Sequence, residues 1–110
     1  MAHTQQVGVV TTVLAQVALA KRRFVGFDGA LAAAGAKALG VVEIATDAGS
    51  QAPVNLNGVL LVEAGAAIAA KAAVEVDALG RVVTQSTGVI NGYTMDAAVQ
   101  AGDIIRVARV

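Results

Sequence analysis

The segment comprising residues 73–110 carries the pattern that most restricts the fold. Val74 and Val76 alternate with acidic residues, which is the period-two pattern of a half-buried strand. Gly80 ends the short loop that follows, and a second β-branched run then returns as the partner strand of a hairpin. Residues 103–110 are again β-branched and short. We therefore expect a β scaffold whose last strand is held in a sheet.

Other segments predict further strands and a few irregular connections. Residues 39–46 and 54–62 read as strands, and the second becomes continuously apolar, as a strand does when it enters a core or an interface. The alanine-rich segments 30–38 and 63–73 favour short helical turns by propensity, whereas their glycines favour irregular loops. Both interpretations stay open for these two segments.

An imperfect internal echo favours a closed β architecture. Gly40 and Gly92 each open a strand, which is followed by an Ala- and Asp-containing segment and a Gly-polar turn. Such an echo suits a small barrel or sandwich in which one corner is built twice. The fold class that we predict is mainly β: a compact barrel-like or sandwich-like domain with one or two short helical turns and an extended amino-terminal arm.

The first twelve residues are uncharged, polar at their start, and β-branched from Val7 onwards. Such a segment can stay flexible until it adds a strand to the edge of a partner's sheet. An ordinary first strand of the domain explains the same pattern. A chain of 110 residues fits one domain. We therefore divide it into an arm, 1–12, and a single β-rich domain, 13–110.

The apolar residues are mostly small. They make up 56% of the chain, yet much of that fraction is Ala and Val, which leave little bulk to fill a core. Part of the apolar surface is therefore expected to be buried against other chains. Phe24, Phe27, Leu60 and Leu61 are the large side chains that we expect in the core or at an oligomer interface.

Charge and aromatic content argue against two classes of partner. Eight basic and eight acidic residues give a net charge of zero, and there are only two Phe and one Tyr. Nucleic-acid binders need Lys and Arg for phosphates, and usually aromatics for bases, so no nucleic acid is expected. Residues 2–20 lack charge but contain too many Thr and Gln for a membrane-spanning helix, and no basic region precedes them as in a signal peptide.

No pattern of catalytic or ligand-binding residues is present in the sequence. The chain has no Cys, one His at position 3, and scattered carboxylates. Metal sites need several converging ligands, and nucleotide sites need a glycine-rich phosphate loop, neither of which occurs here. We accordingly predict no enzyme activity, no cofactor, and no catalytic, cofactor-binding or metal-binding residues. Asp103, after Gly102, is best explained as a turn residue.

The chain resembles the capsid decoration (cement) proteins of tailed bacteriophages. Residues 54–110 carry that likeness, with Glu63-Ala-Gly-Ala-Ala-Ile, the hairpin Ala73-Val-Glu-Val-Asp-Ala-Leu-Gly-Arg-Val-Val-Thr and the closing segment 96–110. Residues 21–46, with Arg23-Phe-Val-Gly-Phe-Asp-Gly29, are similar in layout to lambda-type head decoration proteins. The resemblance rests on glycines and β-branched residues and spans about residues 21–110.

This resemblance implies a structural role. It implies a compact, β-tulip-like fold, often a homotrimer, on the outer surface of the virion capsid, where the protein bridges neighbouring major capsid subunits after expansion. In lambda-type relatives the amino-terminal arm orders on the capsid by strand addition. By that likeness the expected capsid-binding residues are Thr4, Gln5, Gln6, Val7, Val9, Val10 and Thr11.

Two other classes of function remain as alternatives. A small β-barrel binding module that recognises a protein, peptide or glycan without catalysis would have the same composition. A small enzyme would need converging acids, for which the sequence gives no sign.

Overall fold

The computed structural model describes residues 5–109, which form eight strands and, within that range, no helix. The predicted mainly β fold is therefore confirmed. The strands are β1 (Gln6–Leu14), β2 (Phe24–Val25), β3 (Gly40–Val42), β4 (Gln51–Glu63), β5 (Ala73–Val76), β6 (Val82–Thr84), β7 (Gly92–Thr94) and β8 (Ile104–Arg109).

The thirteen-residue strand β4 is the centre of the sheet. The antiparallel order runs β2-β3-β4-β8-β7-β5-β6, and β1 pairs with β4 outside that path. Asn55 pairs with both Val10 of β1 and Val41 of β3, while Gly58 pairs with both Val7 of β1 and Arg109 of β8. Because a strand has two edges, β1 occupies one edge of β4, and β3 and β8 share the other.

The strands form two similar units that share β4. In the first unit, β1 is followed by β2 and β3, and β4 then pairs with both β3 and β1. In the second unit, β4 is followed by β5, β6 and β7, and β8 then pairs with both β7 and β4. Strand β4 is therefore the last strand of the first unit and the first strand of the second.

The connections outside the strands repeat in the same way. An antiparallel bridge joins Leu19 to Thr46 in the first unit, and one joins Ile68 to Ala98 in the second. Directly after β1, the Ala15 amide donates to the carbonyl of Ser50 at 2.9 Å. Directly after β4, the Ala64 amide donates to the carbonyl of Asp103 at 2.8 Å. These repeated corners explain the echo between the Gly40 and Gly92 segments.

Small apolar side chains fill the interior in two clusters. The larger cluster contains Phe24, Leu60 and Ile105, together with valines of β3, β4, β5, β6 and β8 and alanines of the connecting loops. The smaller cluster lies in the first unit and includes Leu19 and Val54. The hairpin alternation is confirmed, since Val74 and Val76 are buried while the acidic residues between and after them are not.

The predicted amino-terminal arm is wrong for residues 6–12, which form most of β1 and pair with β4 of the same chain. Gln5 is also held, because its Nε2 donates to Glu43 at 3.0 Å and its Oε1 accepts the amide of Leu61. The ordinary first strand is the correct interpretation. Residues 1–4 lie outside the part of the chain that the structure describes.

The predicted helical turns in 30–38 and 63–73 are also wrong. Gly35 and Lys71 adopt positive φ angles of 73° and 61°, which a right-handed helix does not contain. In the second segment, Ile68 exchanges two backbone hydrogen bonds with Ala98, which ties the chain to a distant loop. Segments this short gain little from alanine's propensity, so these tertiary bonds decide their conformation.

Candidate functional site

The outer edge of β1 is the most distinctive surface of the fold. Strand β1 contains no charged residue, and seven of its nine residues are exposed. Strand β1 pairs with β4 along one edge, and no other strand among residues 5–109 pairs with β1. We call this surface the β1 edge, meaning the unpaired backbone and exposed side chains of Gln6–Leu14.

The backbone groups that point outward can be assigned from the register. Thr12 lies opposite Pro53, whose carbonyl turns away from β1 and accepts the amide of Glu43 at 3.0 Å. The Thr12–Pro53 pair is thus a non-hydrogen-bonded pair, and the Thr12 amide and carbonyl face the open edge. The backbone amide and carbonyl of Val10, two residues earlier, also face the open edge. The β1 edge therefore offers donors and acceptors to a further strand.

The exposed side chains of β1 are unusually apolar for an unpaired strand. Val9, Val10 and Leu14 are 48%, 55% and 45% exposed. Natural sheets protect such edges with Lys and other charged residues, or with Pro, because an open apolar edge recruits other chains. Strand β1 contains none of these protective residues, so within the described chain its apolar edge stays open to pairing.

Polar contacts and close glycine packing hold β1 in place. Glu43 accepts hydrogen bonds from the side chains of Gln5 and Asn55, so it ties the start of β1 to β4. Gly8 and Gly58 allow the two backbones to approach where the register shifts on either side of Val9. A Cβ at Gly58 would lie 2.2 Å from the carbonyl oxygen of Gln6. The edge is thus formed by contacts within the chain itself.

The residues predicted to contact a capsid divide into two groups in the described structure. Val9, Val10 and Thr11 are exposed on β1, and Gln6 is exposed at its start. Val7 packs against the core, and Gln5 is occupied by Glu43, so both serve to anchor the strand. Thr4 lies outside the described residues.

The large side chains predicted for the core or an interface also fall into two groups, buried and exposed. Phe24 and Leu60 are fully buried within the chain, and Leu61 is partly buried. Phe27 is 63% exposed, which leaves it free to contact another chain. Sequence reasoning did not single out Leu14, Val17 or Ile44, which are also exposed and apolar. Leu14 and Val17 lie in the segment 2–20, whose lack of charged residues was the sequence signal that could have identified them.

Most carboxylates are engaged in structural contacts. Glu63 accepts from Arg23 at 3.0 Å and lies 3.8 Å from Arg81. The hydrogen bond from Arg106 to Asp96 raises the pKa of that arginine, although burial opposes the effect. Asp103 accepts the amides of Val99 and Gln100, as expected of a turn residue. The remaining engaged acids are Asp28, Glu43, Glu75 and Asp77.

Two kinds of feature are absent from residues 5–109. No three His, Asp or Glu side chains lie close enough together to hold a metal ion. No helix in that range is long and apolar enough to cross a membrane.

Comparisons with known proteins agree with this fold. No curated protein matches the chain. Among solved structures, the N base of head fiber gp8.5 of bacteriophage phi29 matches with a TM-score of 0.78 and 20% identity over 93% of both chains. At that identity the likeness concerns the fold. The family model described as phage cement protein matches residues 2–109, nearly the whole sequence. The chain therefore belongs to the phage cement proteins, a family of structural proteins associated with the phage head.

Proposed function

We propose that the protein binds the outer surface of the expanded phage capsid, bridges neighbouring major capsid subunits, and stabilises the head against the pressure of packaged DNA. The observation that carries this proposal is the β1 edge, a nine-residue, uncharged, mostly exposed strand with one unpaired side. The major capsid protein supplies the strand that covers it, by the antiparallel addition that β-edge partners use.

The repeated architecture supports strand addition at this place. In the second unit the first strand, β4, has a neighbour on each edge, while the corresponding strand of the first unit, β1, has one neighbour among residues 5–109. A capsid strand on the open side would give β1 the two-sided pairing that β4 already has. Backbone hydrogen bonds would supply affinity, and the side chains of Val10, Thr12 and Leu14 would supply selectivity.

Stabilisation follows if the binding surface exists only on the expanded shell. A ligand that binds one state and not the other shifts the equilibrium by mass action. A homotrimer at a threefold position would multiply weak contacts through effective concentration, and exposed Phe27 is one large side chain available for contact between copies. The net charge of zero lets many copies crowd on one shell without mutual repulsion.

The test is co-sedimentation of the purified protein with cognate expanded capsids that lack it, followed by heating and detection of released DNA. Saturable binding that raises the disruption temperature is expected. Val10→Lys and Thr12→Lys should abolish binding, because charge on an edge strand opposes pairing. Val99→Lys is the matched control, since Val99 is 82% exposed outside β1.

Two results would redirect the proposal. Binding by the lysine variants as tight as that of the unchanged protein would remove β1 from the interface. Failure of the unchanged protein to bind its cognate shell would overturn the capsid role and favour a small β module that recognises a protein, peptide or glycan. Light scattering checks the homotrimer separately.

A further inference from the structure

A cleft of about 240 Å³ lies on the second unit, lined by residues that the β1 edge does not include. It is smaller than the pockets that take drug-sized ligands, and its size suits a single side chain. Its lining contains two cationic residues and no acidic one: Lys37, Ile90, Asn91, Gly92, Tyr93, Ala108 and Arg109.

The Arg109 guanidinium is held in place by backbone oxygens. Nη1 donates to the carbonyls of Leu39 at 2.7 Å and Leu56 at 3.1 Å, and Nη2 donates to the carbonyl of Ala38. These three bonds leave Nε–H and one Nη2–H of the five guanidinium N–H groups. Nε of Arg109 has no hydrogen-bond partner within residues 5–109 and is not completely sealed from solvent, because the one sealed and unpaired side-chain nitrogen of that range is Nε of Arg23.

The positive charge of Arg109 is uncompensated within the described residues. Arg23, Arg81 and Arg106 each form a salt bridge, whereas Arg109 contacts only carbonyls and the Phe24 ring. Burial lowers the pKa of Arg109. A guanidinium with two spare donors forms strong, often bidentate, charge-assisted hydrogen bonds with a carboxylate.

The other walls are shaped to admit such a group. Asn91 is buried and fixes the neighbouring chain, because its Oδ1 accepts the Ala38 amide at 3.0 Å and its Nδ2 donates to the Ala36 carbonyl at 2.9 Å. That chain carries Lys37, which is exposed and has no ion-pair partner in residues 5–109. Ile90 and Tyr93 are 44% and 52% exposed and offer apolar walls to the stem of a side chain.

We propose that this Lys37–Arg109 cleft binds the side-chain carboxylate of an Asp or Glu in an acidic segment of a protein partner. Arg109 holds the carboxylate through its spare N–H groups, and Lys37 adds a second positive charge at the rim. Because its residues differ from those of the β1 edge, failure of either proposal leaves the other intact.

The experiment follows the ¹⁵N spectrum of the full chain, including the Arg Nε–H signals, during titration with three short peptides, of which the first two are capped at both ends. The first peptide carries one internal Glu, the second carries Gln at that position, and the third has no Glu but a free terminal carboxylate. We expect saturable shifts at Arg109 Nε–H and at the Ile90 and Tyr93 amides with the Glu peptide only.

Variants separate the cleft from general charge effects. Lys37→Gln should weaken binding of the Glu peptide about two- to fivefold, the range expected for an exposed charge pair. Ile90→Glu should abolish binding, because it places a carboxylate at the cleft itself. Lys21→Gln, at another exposed lysine, should leave the titration unchanged.

Three outcomes would overturn the proposal. Equal shifts with the Glu and Gln peptides would show that charge is not recognised. Stronger binding of the peptide with the free terminus would assign the cleft to a main-chain carboxylate instead. The absence of any saturable shift at Arg109 would show that the cleft is not a carboxylate site.

Discussion

The guanidinium carbon of Arg109 lies 5.5 Å from the centroid of the Phe24 ring. A cation at that distance from an aromatic face is attracted by the ring. The same guanidinium donates to Leu39, just before β3, and to Leu56 within β4. One side chain near the carboxyl end of the sequence thus joins β8 to the core aromatic and to two segments of the first unit.

Replacing Arg109 by lysine is expected to lower the free energy of unfolding by about 2 kcal/mol. The compact lysine ammonium cannot donate to all three carbonyls that the planar guanidinium bonds. Urea denaturation monitored by circular dichroism measures the change. Arg22→Lys, at a partly exposed arginine, should change it by less than about 0.5 kcal/mol. Equal effects of the two substitutions would contradict a special role for Arg109.

Phe24 and Phe27 test the division between core and surface. Phe24→Ala should cost about 3–5 kcal/mol, because the side chain is fully buried in the larger cluster. Phe27→Ala should stay within about 0.5 kcal/mol, because most of that side chain faces solvent. If Phe27 contacts another copy, its variant should form fewer trimers by light scattering while it unfolds like the unchanged chain. A large loss of stability in Phe27→Ala monomers would refute its surface role.

Thr94 carries two hydrogen bonds in a buried position. Its hydroxyl donates to the Ala69 carbonyl at 2.7 Å and accepts the Ala72 amide at 2.9 Å, and the residue is 3% exposed. Thr94→Val keeps the shape but leaves both backbone groups unpaired, so a loss of about 2 kcal/mol is expected. Thermal unfolding compares it with Thr84→Val, at the exposed last position of β6, which should be nearly neutral. A neutral Thr94→Val would mean that water replaces the hydroxyl.

Gly58 and Gly49 form a matched pair, because both have positive φ angles, of 108° and 90°, and only Gly58 is crowded. Gly49→Ala should cost about 1 kcal/mol, the conformational penalty alone. Gly58→Ala should cost about 3 kcal/mol or more, because the added carbon collides with the backbone of β1. Amide exchange should then show loss of protection in β1 while β8 stays protected. Similar costs for both variants would contradict the close approach of β1 to β4.

The sequence predicts the strands well where burial alternates and poorly where it does not. The hairpin of β5 and β6 follows from Val74, Val76 and Gly80, because each local preference agrees with the final structure. The sequence of residues 63–73 does not predict their conformation, because the hydrogen bonds that fix it are formed with the distant residues Ala98 and Thr94. The helix propensity of alanine is a local property and contains no information about hydrogen-bond partners so distant along the chain.

The candidate surfaces were predictable to different degrees. The uncharged first segment marked the β1 edge as unusual, although only the register with β4 shows that its other side is open. The Lys37–Arg109 cleft could not be predicted, because its two cations are far apart in sequence and meet through Asn91 and β8. Isolated basic residues ordinarily indicate a solvated surface.

The shared strand β4 also has a consequence for folding. Two complete repeats joined by a linker could melt one after the other, each with its own transition. Here neither unit has a full set of strands without Gln51–Glu63, so a cut or a local opening in that strand disrupts both at once. The chain should therefore unfold in one cooperative step, and neither half should be obtainable as a folded fragment.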